Sequence, residues 1–135
     1  MNTIMNILTL PIYYVQEFKT KKNKTWLVGD NAYRNWHYFL KNNVKQHYHE
    51  LVKNQVTDTK ILGQYKLQID LYIKNTNCDG SNIASRIEKF SLDALQECGV
   101  VVNDNSKYHL STTWTLKGVD KENPRAEVQV LDVLQ

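Results

Sequence analysis

The strongest constraint on the fold is a strict alternation of apolar and polar residues between positions 65 and 74. The apolar members of this alternation are Tyr65, Leu67, Ile69, Leu71 and Ile73. A period of two is typical of a β-strand that buries one face. A polar loop over residues 75–81 follows, and a helix is predicted over residues 82–98, because apolar residues there recur at helical spacing and Gly99 is a good helix terminator.

The rest of the chain adds further strands and one more helix. Strands are predicted over residues 4–12, 25–28, 100–102, 112–119 and 126–134. A helix is predicted over residues 32–52, since one face carries apolar residues three or four positions apart: Tyr33, Trp36, Leu40, Val44, Tyr48 and Leu51. We therefore expect a single α+β (mixed α/β) domain over residues 1–135, with a mixed, largely antiparallel sheet packed by two main helices.

Several functional classes are excluded by what the chain lacks. None of its apolar runs approaches the roughly 20 residues that span a bilayer, and the first residues lack the features of a signal peptide. Cys78 and Cys98 show no metal-type spacing and need not pair, which suits a reducing compartment. There is no phosphate-binding glycine loop, nucleophile elbow or dinucleotide fingerprint. We expect a cytoplasmic protein with no membrane partner and no small-molecule cofactor.

Positive charge is concentrated in the first half of the chain. Residues 1–60 hold nine Lys and Arg against four acids, whereas residues 61–135 hold eight against ten. This split predicts either a polyanion-binding surface beside a metal centre or a chance scatter of solvated charge. The candidate phosphate contacts lie in a basic turn, in the first helix and in the second helix: Lys19, Lys21, Lys22, Lys24, Arg34, Lys41, Lys45 and Arg86.

Two acids flank the second predicted helix, Asp79 before it and Asp104 after it. Carboxylates are preferred ligands of Mg²⁺ and Mn²⁺, which activate water for phosphodiester hydrolysis. The helix leads away from Asp79 by about 24 Å, and five extended residues return by roughly 16 Å. If this return path packs along the helix, Asp104 comes back towards Asp79 and the two acids can share a metal ion.

The second helix also carries one polar stripe, formed by Asn82, Arg86, Lys89, Asp93 and Glu97. Lys89 is predicted to face the acidic cluster and a scissile phosphate. Each residue has a plainer interpretation as well: Asp79 as a helix cap, Asp104 as a turn residue, and Lys89 with Asp93 as a surface pair. Taken together, their spacing favours the metal site.

This block resembles the RusA-type Holliday junction resolvases of phages and prophages. That family has an acidic loop of the form Asp-x-Asp-Asn, a helix with a Lys and an Asp-Ala-Leu, a Gly and an acidic pair. The matching segments here are Asp79-Gly80-Ser81-Asn82, Lys89, Asp93-Ala94-Leu95, Gly99 and Asn103-Asp104.

The resemblance implies a homodimeric, Mg²⁺- or Mn²⁺-dependent endonuclease that resolves four-way DNA junctions by paired nicks. Asp79, Lys89 and Asp104 would be its catalytic residues. Asp79 and Asp104 would bind the metal with help from Asp93, Lys89 would contact the phosphate, and Ser81 and Asn82 would support the site.

Two departures from the family pattern keep other functions open. Ser81 and Asn103 stand where many family members have acids, and fewer anionic ligands weaken a divalent site. The alternative is a RusA-like fold that binds DNA or a protein without cleaving. A third class is an inhibitor or scaffold without affinity for nucleic acid. Trp26, Trp36 and Trp114 are predicted to serve core or dimer packing rather than base stacking, although an exposed aromatic residue can wedge open a junction.

Overall fold

The computed structural model describes residues 2–3 and 7–133, with side chains from residue 7 onward. Residues 4–6 and 134 of the predicted terminal strands lie outside this range. In chain order the elements are β1 (Asn2–Thr3), β2 (Leu8–Pro11), β3 (Tyr13–Gln16), β4 (Lys24–Leu27), α1 (Asp30–Tyr33), α2 (Tyr38–Gln55), β5 (Tyr65–Ile73), α3 (Gly80–Glu97), β6 (His109–Val119) and β7 (Arg125–Asp132).

Five of the strands form one mixed sheet. β7 pairs antiparallel with β5 on one side and with β1 and β2 on the other. β6 pairs with β5 in parallel, and β3 and β4 form a separate antiparallel hairpin. The predicted α+β class, with its mixed and largely antiparallel sheet, is confirmed.

The strand–loop–helix segment follows the prediction closely. Alternate residues of β5 from Tyr65 to Ile73 are buried, and α3 packs its apolar residues against the same core. Gly99 ends the helix region with a φ of 77°, a left-handed conformation that glycine adopts without strain. Gly80 allows a close approach, because a Cβ atom there would lie 2.9 Å from the Trp114 ring.

The predicted helix over residues 32–52 is in fact two helices, α1 and α2. Between them His37 is extended, with φ −59° and ψ 148°, and its side chain accepts a hydrogen bond from the Phe39 N–H and so caps α2. Trp36 is buried within this break. The apolar spacing did not reveal the break, because Trp36 and Leu40 face the core on both sides of it.

The predicted strand over residues 100–102 is also wrong. Val100 and Val101 are buried by side-chain packing, but the backbone makes only an isolated parallel bridge, between Val101 and Ile61. The strand that returns alongside β5 begins at His109 instead. Asp104 therefore lies in the loop before β6 and not on the strand beside β5.

The sheet has two ends, which we name after the first and last residues of β5. Pro11 pairs with Arg125, which pairs with Tyr72, so the β3–β4 hairpin begins at the Ile73 end. α3 also begins there and runs to the Tyr65 end, where β6 starts. Within the described residues, none of the helices is long and apolar enough to cross a membrane.

Candidate nucleic-acid interface

Asp79 lies at the Ile73 end of the sheet and caps the N-terminus of α3. Its carboxylate accepts hydrogen bonds from Ser81 Oγ (2.9 Å), from the Asn82 N–H (3.3 Å) and from Asn82 Nδ2 (3.1 Å). The Ser81 hydroxyl and the backbone N–H of Asn82 lower the pKa of the Asp79 carboxyl. Ser81 and Asn82 therefore hold Asp79 as the N-cap of α3, and the cap interpretation of Asp79 is confirmed.

Asp104 lies at the opposite, Tyr65 end of the sheet. Tyr65 Oη donates a 2.9 Å hydrogen bond to the carbonyl of Asn103. Burial and then the charge of Asp104 raise the pKa of the Tyr65 hydroxyl to about 12. Because β5 has nine residues, its two ends are separated by about 26 Å. The chain therefore does not bring Asp104 to Asp79, since the return strand begins only after Asp104.

Asp93 lies on the side of α3 that faces α2, in a groove that Lys45 and His49 also line. His49 Nδ1 contacts the carboxylate of Glu97 there, at 2.8 Å. Along α3, fourteen positions separate Asp93 from Asp79, which is about 21 Å. Asp93 is thus remote from Asp79.

The predicted Mg²⁺ or Mn²⁺ site does not fit the residues of a single chain. Among the residues whose side chains are described, no three His, Cys, Asp or Glu converge in a way that holds a metal ion. Asp79, Asp93 and Asp104 are spread over both ends of the sheet and the α2–α3 groove. No catalytic step through a metal ion follows from this arrangement.

Asp30 is the acid near Lys89 that the sequence analysis missed. Its carboxylate binds Arg86 Nε at 2.8 Å. Partial burial alone would raise the pKa of Asp30, but hydrogen bonds from Ser85 and Arg86 and the charges of Arg86 and Lys89 outweigh it and lower the pKa. The Gly-Asp-Asn sequence at residues 29–31 is typical of a turn, but no local pattern links Asp30 to a helix so distant in the sequence.

Arg86 is consequently not part of an exposed basic surface. Its side chain is only 13% exposed, and its guanidinium lies 3.9 Å from the centre of the Tyr33 ring. It joins α1 to α3 instead of offering a free cation. Lys45 lines the α2–α3 groove together with the acids Asp93 and Glu97.

The other six predicted phosphate contacts lie in the hairpin and the helix start that follows it. We call them the basic surface: Lys19, Lys21, Lys22, Lys24, Arg34 and Lys41. The ammonium groups of Lys21 and Lys24 lie 4.3 Å over Phe18 and 4.5 Å over Trp26. Residues 16–41 contain these six cations and two acids, of which Asp30 is neutralised by Arg86.

Comparison with known proteins adds no family. No protein-family model matches the chain, and no curated protein matches it either. The resemblance to RusA-type resolvases therefore stays a prediction, and its distinctive motifs lie in the Asp79–Asp104 block.

Proposed function

We propose that this protein binds DNA, with branched or partly single-stranded DNA as its target. The observation that carries this proposal is the basic surface, in which six Lys and Arg residues lie on one hairpin and the adjoining helix start. Such a cluster attracts the phosphate backbone and releases its counterions on binding. The nearest interior acid, Asp30, is already neutralised by Arg86, so it does not oppose the approach of a polyanion.

The aromatic rings beneath the lysines favour phosphate contacts further. Lys21 and Lys24 rest over Phe18 and Trp26, which restricts their flexible side chains while they remain exposed. Less side-chain entropy is then lost when a phosphate is bound. Lys contacts of this kind carry no base readout, so we expect binding to depend on charge and DNA shape rather than on sequence.

The test compares two double variants with equal loss of charge. Lys21→Ala with Lys22→Ala removes charge from the basic surface, whereas Lys60→Ala with Lys107→Ala removes it from the Tyr65 end. Binding of a labelled four-way junction and of a matched linear duplex is measured in EDTA over a series of salt concentrations. The first variant should bind more weakly and reduce the slope of log K against log salt by about 1.8, at 0.9 for each lost contact.

The control variant should keep the slope of the unmodified protein. Equal slopes for both variants would reject the basic surface as the contact. Binding that does not depend on salt, or no binding, would favour the inhibitor or scaffold class instead.

Metal-dependent cleavage of the junction by a homodimer is a second candidate, which the family resemblance implies. The observation that favours it is the exposed carboxylate of Asp79, which lies at the same end of the sheet as the hairpin. Purified protein is incubated with the junction in Mg²⁺, Mn²⁺ or EDTA, alongside Asp79→Asn and Asp104→Asn. Paired nicks that need metal and disappear in both variants would establish cleavage. Binding without nicks would leave DNA binding as the function.

A further inference from the structure

An apolar cavity lies directly beside the basic surface, between β4 and the connection from α1 to α2. Its volume is about 470 Å³, and its lining residues include Gln16, Trp26, Asn35, Trp36, His37 and Leu40. Small-molecule sites usually occupy roughly 300–1,000 Å³. The cavity is therefore large enough for a single flat ring system.

Contacts with neighbouring side chains fix the two tryptophan rings that line the cavity. Trp26 and Trp36 meet edge to face, with ring centres 5.5 Å apart, and Trp36 packs in turn on Tyr33. Trp26 Nε1 donates a 3.1 Å hydrogen bond to Gln16 Oε1, which fixes the orientation of its ring. Trp36 is buried as predicted, whereas Trp26 is half-buried at the cavity wall.

The rim of the cavity exposes two adjacent aromatic side chains. Tyr38 is 71% exposed and Phe39 is 68% exposed. Phe39 also stacks on His37, with ring centres 5.3 Å apart, and His37 lines the cavity. Two neighbouring aromatic rings this exposed contribute little to the core, and such apolar patches often mark binding sites.

The charges and polar groups around the cavity restrict what fits it. Lys24 lies over Trp26, Lys41 lies over Tyr33, and Arg34 is exposed next to Asn35. The side chains of Gln16, Asn35 and His37 offer hydrogen-bonding groups at an otherwise apolar wall. The matching occupant is a flat aromatic ring joined to an anionic backbone.

We propose that this cavity receives an unpaired base of a DNA strand, and that Tyr38 and Phe39 stack on its neighbour. A base within a duplex has both faces covered, so the site selects single-stranded segments and the open bases of branched DNA. This inference rests on the proposed function, because the basic surface would hold the phosphates that flank the base.

The experiment uses the Trp114→Phe protein, in which the indole fluorescence comes from Trp26 and Trp36 alone. It is titrated in EDTA with a thymidine oligomer of about ten nucleotides, a length suited to a single-strand groove. An abasic deoxyribose-phosphate oligomer of equal length supplies the same charge without bases. We expect the thymidine oligomer to change the fluorescence and to bind more tightly than the abasic one.

Phe39→Ala tests the stacking directly, and Leu62→Ala is its matched control, since Leu62 is 79% exposed near the Tyr65 end. Phe39→Ala should weaken the binding of the thymidine oligomer about five- to hundred-fold. The binding of the abasic oligomer should not change. Leu62→Ala should change neither. Circular dichroism of each variant confirms that the fold is kept.

The outcomes separate this inference from the function on which it rests. Equal binding of both oligomers without a fluorescence change would overturn the base cavity and leave phosphate binding in place. Failure of both oligomers to bind would overturn the two proposals together. If Phe39→Ala weakened the binding of both oligomers equally, the stacking of Phe39 on a base would be rejected.

Discussion

Asp30 and Arg86 are 56 positions apart in the chain, yet their 2.8 Å contact joins the start of α1 to α3. Arg86 stacks on Tyr33 at the same time, so one guanidinium binds a carboxylate and an aromatic face of the same short helix. Because α1 has only four residues, it has little stability of its own. We therefore expect this pair to keep α1, and the cavity behind it, in position.

Asp30→Asn should lower the free energy of unfolding at neutral pH by about 1.5–3 kcal/mol, the usual range for a hydrogen bond to a charged group. The folded-state pKa of Asp30 is lowered from 3.8. Its stabilisation is therefore complete above the unfolded pKa and is lost as the pH falls through the lower, folded value.

Urea unfolding between pH 2 and pH 7 checks this prediction. The difference between the unmodified protein and Asp30→Asn should shrink below about pH 4. Asp58→Asn, at an exposed position, is the control and should leave the stability curve unchanged. A constant difference across the whole pH range would contradict the ion-pair explanation.

At the scale of single elements, α3 depends on its N-terminal cap. Asp79→Ala should lower the urea midpoint, because the N–H of Asn82 loses its acceptor. Asp79→Asn should retain most of the cap, since Asn is also a favoured N-cap residue. Urea midpoints measure both variants, and equal losses would show that the charge matters more than the hydrogen bonds.

An element could be predicted from the sequence where a pattern of neighbouring residues determines it. β5 and α3 were predicted well because alternation and an amphipathic pattern report burial directly. The α1–α2 break was missed, since Trp36 and Leu40 keep helical spacing across His37. Asp104 was misplaced because the path of residues 100–108 is set by distant partners, Ile61 and Tyr65, which no local pattern reveals.

The candidate site shows the same limit. The basic turn was recognised from its lysines alone, and Asp79 was identified together with its alternative role as a cap. The cavity at Trp26 and Trp36 was not predicted, because it forms only when the hairpin packs beside the break before α2. In the first turn of α2, Tyr38 and Phe39 are exposed, whereas Leu40 faces the core.

At the scale of the whole molecule, β6 is the outer strand next to β5 among the described residues. It exposes apolar side chains along its length: Leu110, Trp114, Leu116 and Val119. Edge strands are commonly protected by charges, whereas Lys117 is the only Lys, Arg, Asp or Glu in β6. Antiparallel pairing of two copies centred on Trp114 would place Lys117 opposite Ser111, so no like charges would meet.

We therefore expect the homodimer that the resemblance implies to form through β6. Leu116→Lys should shift the protein from twice the mass of one chain to a single chain in light scattering, because a charge opposes strand pairing. Leu62→Lys, exposed near the Tyr65 end, should leave the dimer intact. A monomeric unmodified protein at high micromolar concentration would contradict this expectation.

The position of β7 has a consequence for how the chain reaches its folded state. β7 is the last strand described, yet it joins β5 to the two earliest strands, β1 and β2. On the ribosome, β2 has no partner in this sheet until β7 emerges. Leu8 and Leu10 of β2 therefore lack their strand partner until β7 has been synthesised, and unpaired strand edges favour aggregation. Slower translation would not supply β2 with its missing partner strand. A chaperone that covers Leu8 and Leu10 would protect β2 from aggregation until β7 is available.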